Sequence, residues 1–176
     1  IVFDDFFKNI KLLHNMNNLT TLDWLYKWEK EKPNSIYLSQ PINGVWHNWT
    51  FYDFGQEVRK MAAYIKSLNL KKNSKIGILS KNCAHWIMSD LAIMLSGHIS
   101  VPLYPNLNSE SLNKILLHSE TQLLFVGKLD NFDIMKDGIP SNINCITFPF
   151  YSQDYPIWDD LIKGIQPIED NVKKDA

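Results

Sequence analysis

Ser80-Lys81-Asn82 is the best-placed chemical segment in this 176-residue sequence. It follows the apolar run Ile76-Gly77-Ile78-Leu79 and precedes a helix-like stretch. In open α/β sheets, ligands sit outside the carboxyl ends of strands. A hydroxyl and an amide there would hold one anion at a helix N-terminus, although plain helix capping is the preferred reading. A dinucleotide site needs Gly-x-Gly-x-x-Gly at this turn, and the turn has no glycine. The phosphate-loop pattern Gly-x-x-x-x-Gly-Lys-Ser/Thr occurs nowhere. His14, His47, His85, His98 and His118 lack metal spacing such as HExxH. No Gly-x-Ser-x-Gly elbow offers a hydrolase nucleophile. Asp90, four residues after Trp86 in an apolar helix, reads as a hydrogen-bonded structural carboxylate, since a buried unpaired charge is costly. Asp4-Asp5 and Asp159-Asp160 are sequence neighbours that diverge on a helix, and they read as solvated surface. Trp46 and Trp49, flanking His47, read as a cap on the core rather than a pocket. Taken together, no catalytic, cofactor-binding or metal residue is expected.

These residues need elements to position them. Phe3, Phe6, Phe7, Ile10 and Leu13 form an amphipathic stripe in an N-terminal segment, 1–19. Packing on its own domain is preferred for that stripe over a peripheral membrane contact. Thr20-Thr21-Leu22-Asp23 resembles a capping box opening a helix that Pro33 ends. Residues 35–40 and 45–49 read as strands joined by an Asn43-Gly44 hairpin turn. Thr50-Phe51-Tyr52-Asp53 reads as a second box, before a helix burying Val58, Met61, Ala62, Ile65 and Leu68. Glu57, Arg59, Lys60 and Lys66 fall on its exposed side.

From Lys75 the pattern alternates. Strands are expected at 76–79, 99–104, 123–126 and 145–148. A helix from Trp86 to Leu95 is capped by Asn82, another starts at Asn108 or Ser109, and a last one spans Trp158 to Ile165. Strands without polar alternation, separated by helices, imply a parallel sheet covered on both faces. The expected fold is therefore a three-layer α/β unit, βαβαβαβ, behind an N-terminal helix and hairpin. The subdomain spans 20–165, and 166–176 is a polar tail.

Composition narrows the classes. Apolar residues make up 45% and charged residues 21%, which excludes disorder. Lys+Arg 18 against Asp+Glu 19 leaves a net charge of -1, and Arg59 is the single arginine. That excludes a basic nucleic-acid footprint and most bidentate phosphate reading. Trp86 to Tyr104 is broken by Ser89, Asp90, Ser96, Gly97 and His98, so it does not read as a membrane span. Cys83 and Cys145 suggest neither a disulfide framework nor a zinc site.

Three segments in order carry a resemblance. They are Trp49-Thr50-Phe51-Tyr52-Asp53; Ile78-Leu79-Ser80-Lys81-Asn82 with Trp86 and Asp90-Leu91-Ala92; and Gly97 followed by Val101-Pro102-Leu103-Tyr104-Pro105. Together, with Ser119 before the strand at 123–126, they resemble the N-terminal part of acyl-adenylate-forming enzymes, most closely long-chain fatty-acid CoA ligases. The resemblance implies a partial N-terminal subdomain of the acyl-CoA synthetase fold. It implies a parent that joins a fatty acid to ATP with Mg2+, giving acyl-adenylate and pyrophosphate, then passes the acyl group to coenzyme A. The family's Ser/Thr/Gly-rich phosphate loop is absent, and Val172-Lys173-Lys174-Asp175-Ala176 resembles the charged stretch that precedes it. None of the family's principal catalytic residues maps here.

Adenylation depends on preorganised donors around phosphate oxygens, and losing one can cost about 10²–10³ in rate. The chain is therefore expected to be inactive alone, to bind no cofactor, and to have the remainder of its own chain as partner. Self-association through the face left uncovered is the other expected contact, and the expected location is cytoplasmic, with or without peripheral membrane contact. The alternative is a free-standing flavodoxin-like or receiver-like binding module, for which Ser80-Lys81 and Asn82-Cys83 are poor site residues.

Overall fold

The computed structural model describes residues 19–151 and 154–169. The N-terminal stripe, His14, Asp4-Asp5 and the tail from 170 lie outside the described residues. Helix α1 (Thr21–Glu31) opens on Thr20, whose hydroxyl accepts from Asp23 N–H at 3.2 Å while the Asp23 carboxylate accepts from Thr20 N–H at 2.8 Å. Both halves of the predicted box are present. Strands β1 (Ile36–Ile42) and β2 (Val45–Thr50) form an antiparallel hairpin. Ile42 pairs with Val45, so the turn is Asn43-Gly44, with φ of 50° and 80°. Two left-handed residues match the twist of the strands, and Asn and Gly tolerate that conformation best.

Helix α2 (Phe51–Ser67) follows at once. Thr50 caps it by accepting from Asp53 N–H at 3.1 Å, but the reciprocal main-chain bond of a box is missing. Thr50 also ends β2 opposite Ile36, so its main chain belongs to the ladder, and Asp53 takes the Thr50 hydroxyl instead at 2.7 Å.

The main sheet has four parallel strands, β3 (Lys75–Leu79), β4 (Ile99–Leu103), β5 (Thr121–Val126) and β6 (Asn144–Thr147), in the order β4-β3-β5-β6. Helices α3 (Ala84–Leu95), α4 (Ser109–His118), α5 (Phe132–Met135) and α6 (Trp158–Ile162) complete the fold. Alternating strand residues feed two cores. Ile76, Ile78, Leu123, Phe125 and Ile146 pack with α1, α2, α3 and Trp158. Leu79, Leu103, Leu124, Val126 and Cys145 pack with Leu112 and Leu116 of α4. Three layers result, as the sequence predicts.

Three expectations change. The sheet is not covered throughout: β4 is an edge strand with Ile99 and Pro102 exposed, and Pro102 sits where an edge tolerates a missing N–H. The last helix stops at Ile162 rather than Ile165, just before Gly164 at φ 78°. Arg59 is buried, not exposed: its Nε and Nη2 donate to the two carboxylate oxygens of Glu29 on α1 at 3.0 and 2.6 Å, and Nη1 donates to Ile168 O at 2.9 Å. The Glu29 hydrogen bonds hold the guanidinium above its ordinary pKa even against burial. A buried cation needs such partners.

Candidate functional site: the crevice at the strand ends

The chain leaves β3 toward β4 on one side and then crosses to β5 on the other. This reversal opens a crevice at the carboxyl ends of the strands. Its volume is about 720 Å³, and it is lined chiefly by Ser80, Lys81, Asn82, Trp86, Tyr104 and Lys128. The predicted segment 80–82 thus lies at the predicted end of the sheet.

Its side chains do other work than predicted. Ser80 is buried; its hydroxyl accepts from Lys128 N–H at 2.9 Å and donates to Lys81 O at 2.6 Å. Lys81 N–H donates to Lys128 O at 2.8 Å. These bonds tie the ends of β3 and β5 together. Gly127 is required beside them, because a Cβ there would press on the Phe148 ring and lie 2.5 Å from Ser80 Oγ. Neither Ser80 nor Asn82 caps α3. The N-cap is Cys83, which makes no side-chain cap bond, and the Ala84 N–H donates to Gln40 Oε1 on β1 at 2.7 Å. A residue 44 positions away supplies the cap, so the Asn82 reading is corrected by a long-range contact.

Lys81 pairs with Asp130, and Lys128 lies exposed. Trp86 and the exposed Tyr104 add aromatic surface. The crevice can hold a flat apolar group with an anion near Lys128. Among its lining residues no nucleophile stands beside a base. A magnesium-bound triphosphate does not fit it: the Ser80 hydroxyl is committed, the one nearby carboxylate is paired with Lys81, and Arg59 is locked to Glu29 in the core.

Of the other candidates, Asp90 is half-buried beside a 210 Å³ cavity lined by Trp24, Trp28 and Phe51. It makes no hydrogen bond among the described residues, so the structural bond expected of it is not formed. Trp49 is buried as expected, whereas Trp46 is 65% exposed. Burial pushes the Cys83 thiol up, and the Cys145 thiol up to about 11.

A second cluster was missed. His85 is buried among Trp49, Phe148, Phe150 and Trp158, with ring centroids 5.4–6.4 Å away. Its Nε2 lies 3.5 Å from Glu57 Oε2, and a ligand atom of Asp159 lies within 4.8 Å of both partners. Burial and then the Glu57 charge push the Asp159 carboxyl up, with His85 opposing. Asp159 and Asp160 are both exposed, as the sequence reading has them, but Asp159 also faces Glu57 and His85, and Glu57 is half-buried rather than on a purely solvated face. The signal was present for Glu57: it lies three residues after Phe54 and four before Met61, both buried. Nothing local marks Asp159.

A family model described as AMP-binding enzyme matches residues 25–159. Among curated relatives, the chain is 27% identical over 101 residues to the long-chain-fatty-acid–CoA ligase FadD15 of Mycobacterium bovis, covering 57% of this chain and 17% of that protein. It is 32% identical over 87 residues to long chain acyl-CoA synthetase 4 of Arabidopsis thaliana, covering 49% of this chain and 13% of that one. The chain thus spans under a fifth of the length of either. Among solved structures, a benzoate CoA ligase from Burkholderia xenovorans superposes with a TM-score of 0.73 at 14% identity, covering 89% of this chain and 31% of that one; this likeness establishes the fold. With the family match running through the helix pair, the hairpin and all four parallel strands, the chain belongs to the AMP-binding enzyme family.

Proposed function

We propose that this chain is the N-terminal α/β part of a long-chain fatty-acid CoA ligase, with residues 20–165 as its subdomain, and that it supplies scaffold rather than chemistry. The family match over 25–159 carries the reading, and the fatty-acid CoA ligases among its relatives support the substrate class. In such an enzyme ATP, Mg2+ and coenzyme A are the co-substrates and cofactor, and a fatty acid is the acyl donor. The strand-end crevice takes part as a wall of the ligand space, presenting Trp86, Tyr104 and Lys128. The rest of the catalytic apparatus would pack near the open β4 edge, where Ile99, Pro102 and Tyr104 are exposed. Self-association through that edge is the contact expected of the chain by itself. A free-standing flavodoxin-like or receiver-like module gives way to the family match.

Among the described residues, no helix is long and apolar enough to cross a membrane. A cytoplasmic location, with any membrane contact peripheral and through residues 1–13, belongs to the same proposal. The test is ATP–pyrophosphate exchange with long-chain fatty acids. The purified chain is expected to show none, because the donors that stabilise charge on phosphate are absent from its crevice. Exchange above the no-enzyme control that depends on fatty acid would overturn the scaffold role.

A further inference from the structure

The geometry points to a zinc-type metal site at Glu57, His85 and Asp159, beneath the aromatic box formed by Trp49 of the hairpin, Phe148 and Phe150 after β6, and Trp158 of α6. It stands apart from the strand-end crevice and does not depend on the ligase reading. The first observation is a distance. His85 Nε2 and Glu57 Oε2 are 3.5 Å apart and form no hydrogen bond. Two ligands bound at about 2.0–2.2 Å to one tetrahedral ion stand about 3.3–3.6 Å apart. The separation is loose for a hydrogen bond and right for two corners of a shared ion.

The second observation is an unmet need. Glu57 Oε2 is shielded from water and has no hydrogen-bond donor. His85 is 3% exposed, and its ring is aimed at that oxygen. A buried carboxylate oxygen without a donor is costly, and a cation at this position removes the cost. The Glu57 carboxylate is already oriented from behind, because Trp49 Nε1 donates to its other oxygen at 3.1 Å. Such outer hydrogen bonds fix ligand direction in metal sites. Asp159 supplies the third ligand from α6. Its exposed side chain has a ligand atom within 4.8 Å of the other two, so it closes on the ion by a side-chain adjustment, leaving a fourth position for water, as in three-ligand zinc sites. One imidazole with two carboxylates suits Zn2+ or Co2+ better than Ca2+ or Mg2+, which prefer all-oxygen sets.

The test uses Co2+ as a spectroscopic probe on the full chain, followed by Zn2+ competition. One equivalent of Co2+ is expected to bind with the strong visible bands of four-coordinate cobalt. Zn2+ should displace it and raise the thermal midpoint by mass action. Asp159→Asn, at an exposed position, should weaken binding by more than about tenfold, and Trp49→Phe by about 10–100-fold through loss of the outer hydrogen bond. His118→Ala, at an exposed histidine at the end of α4, should leave affinity unchanged. Asp159→Asn is the decisive variant, because His85→Ala empties a buried position. Absence of a one-equivalent band overturns the site. So does equal affinity in wild type and Asp159→Asn, or a loss caused by His118→Ala.

Discussion

Gly55→Ala separates two effects of opposite sign. Gly55 lies inside α2, where alanine is favoured over glycine by about 1 kcal/mol. On helix propensity alone the substitution stabilises. The structure opposes this. A Cβ on Gly55 would overlap Glu29 Oε1 and come within 2.6 Å of Glu29 Cδ. The carboxylate cannot simply swing aside, because both of its oxygens accept from Arg59. Arg59 and Glu29 side chains are only 10% and 14% exposed, so water does not replace a lost partner. Uncoupling such a buried pair costs about 3–5 kcal/mol. Against the propensity gain, the net expectation is a loss of about 2–4 kcal/mol. For a chain of this length that lowers the thermal midpoint by about 4–16 °C. Urea unfolding of wild type and Gly55→Ala measures the difference directly. The same substitution in a Glu29→Ala/Arg59→Met background has no pair to disturb and should be neutral or stabilising. If Gly55→Ala stabilises the wild-type chain, or costs as much in the double-substituted background, the ion-pair account of Gly55 is refuted.

Gln40→Ala removes the acceptor for Ala84 N–H and should cost about 0.5–2 kcal/mol in denaturant melts, as helix caps do. Burial holds the His98 imidazole below its ordinary value near 6.5, so as pH falls through 6.5 the unfolded chain takes up the proton first. Stability from this residue is full above pH 6.5 and drains below it, and His98→Leu should flatten that part of a stability–pH curve. Both thiols are buried and raised by burial, so iodoacetamide at pH 8 should label Cys83 and Cys145 only at the rate of unfolding. A Cβ at Gly138 would collide with the Ser109 carbonyl at the start of α4; Gly138→Ala should therefore lower the melting temperature, unlike a surface glycine substitution.

Elements whose signals are local were legible. Thr20 with Asp23, Asn43-Gly44 and Asn108 each act within four residues, and each does what its sequence implies. Apolar runs likewise marked all four parallel strands to within two residues. What escaped was settled by partners distant in sequence. Arg59 reads as a solvated cation on any helical wheel, and it is Glu29, 30 positions earlier on another helix, with Ile168 O far downstream, that makes its burial tolerable. Asn82 is a good cap by type, yet Gln40 fills that role from the hairpin. Asp159 is surface, as it reads beside Asp160, but α6 also brings it within reach of Glu57 on α2 and His85 on α3. The crevice was legible in position because strand ends are. Its chemistry was not, because Ser80 is taken up in binding Lys128 N–H.

Gln40 has a wider consequence. Its carbonyl holds the first turn of α3 while its amide donates to the Tyr151 hydroxyl at 2.9 Å, beyond the end of the sheet. The hairpin cannot lift away without freeing an amide at the start of α3 and breaking the bond that holds the Tyr151 hydroxyl. These three pieces, far apart along the chain, then open as one cooperative unit. Their slow amides should share a single exchange free energy, and replacing Gln40 should split it into separate, lower ones.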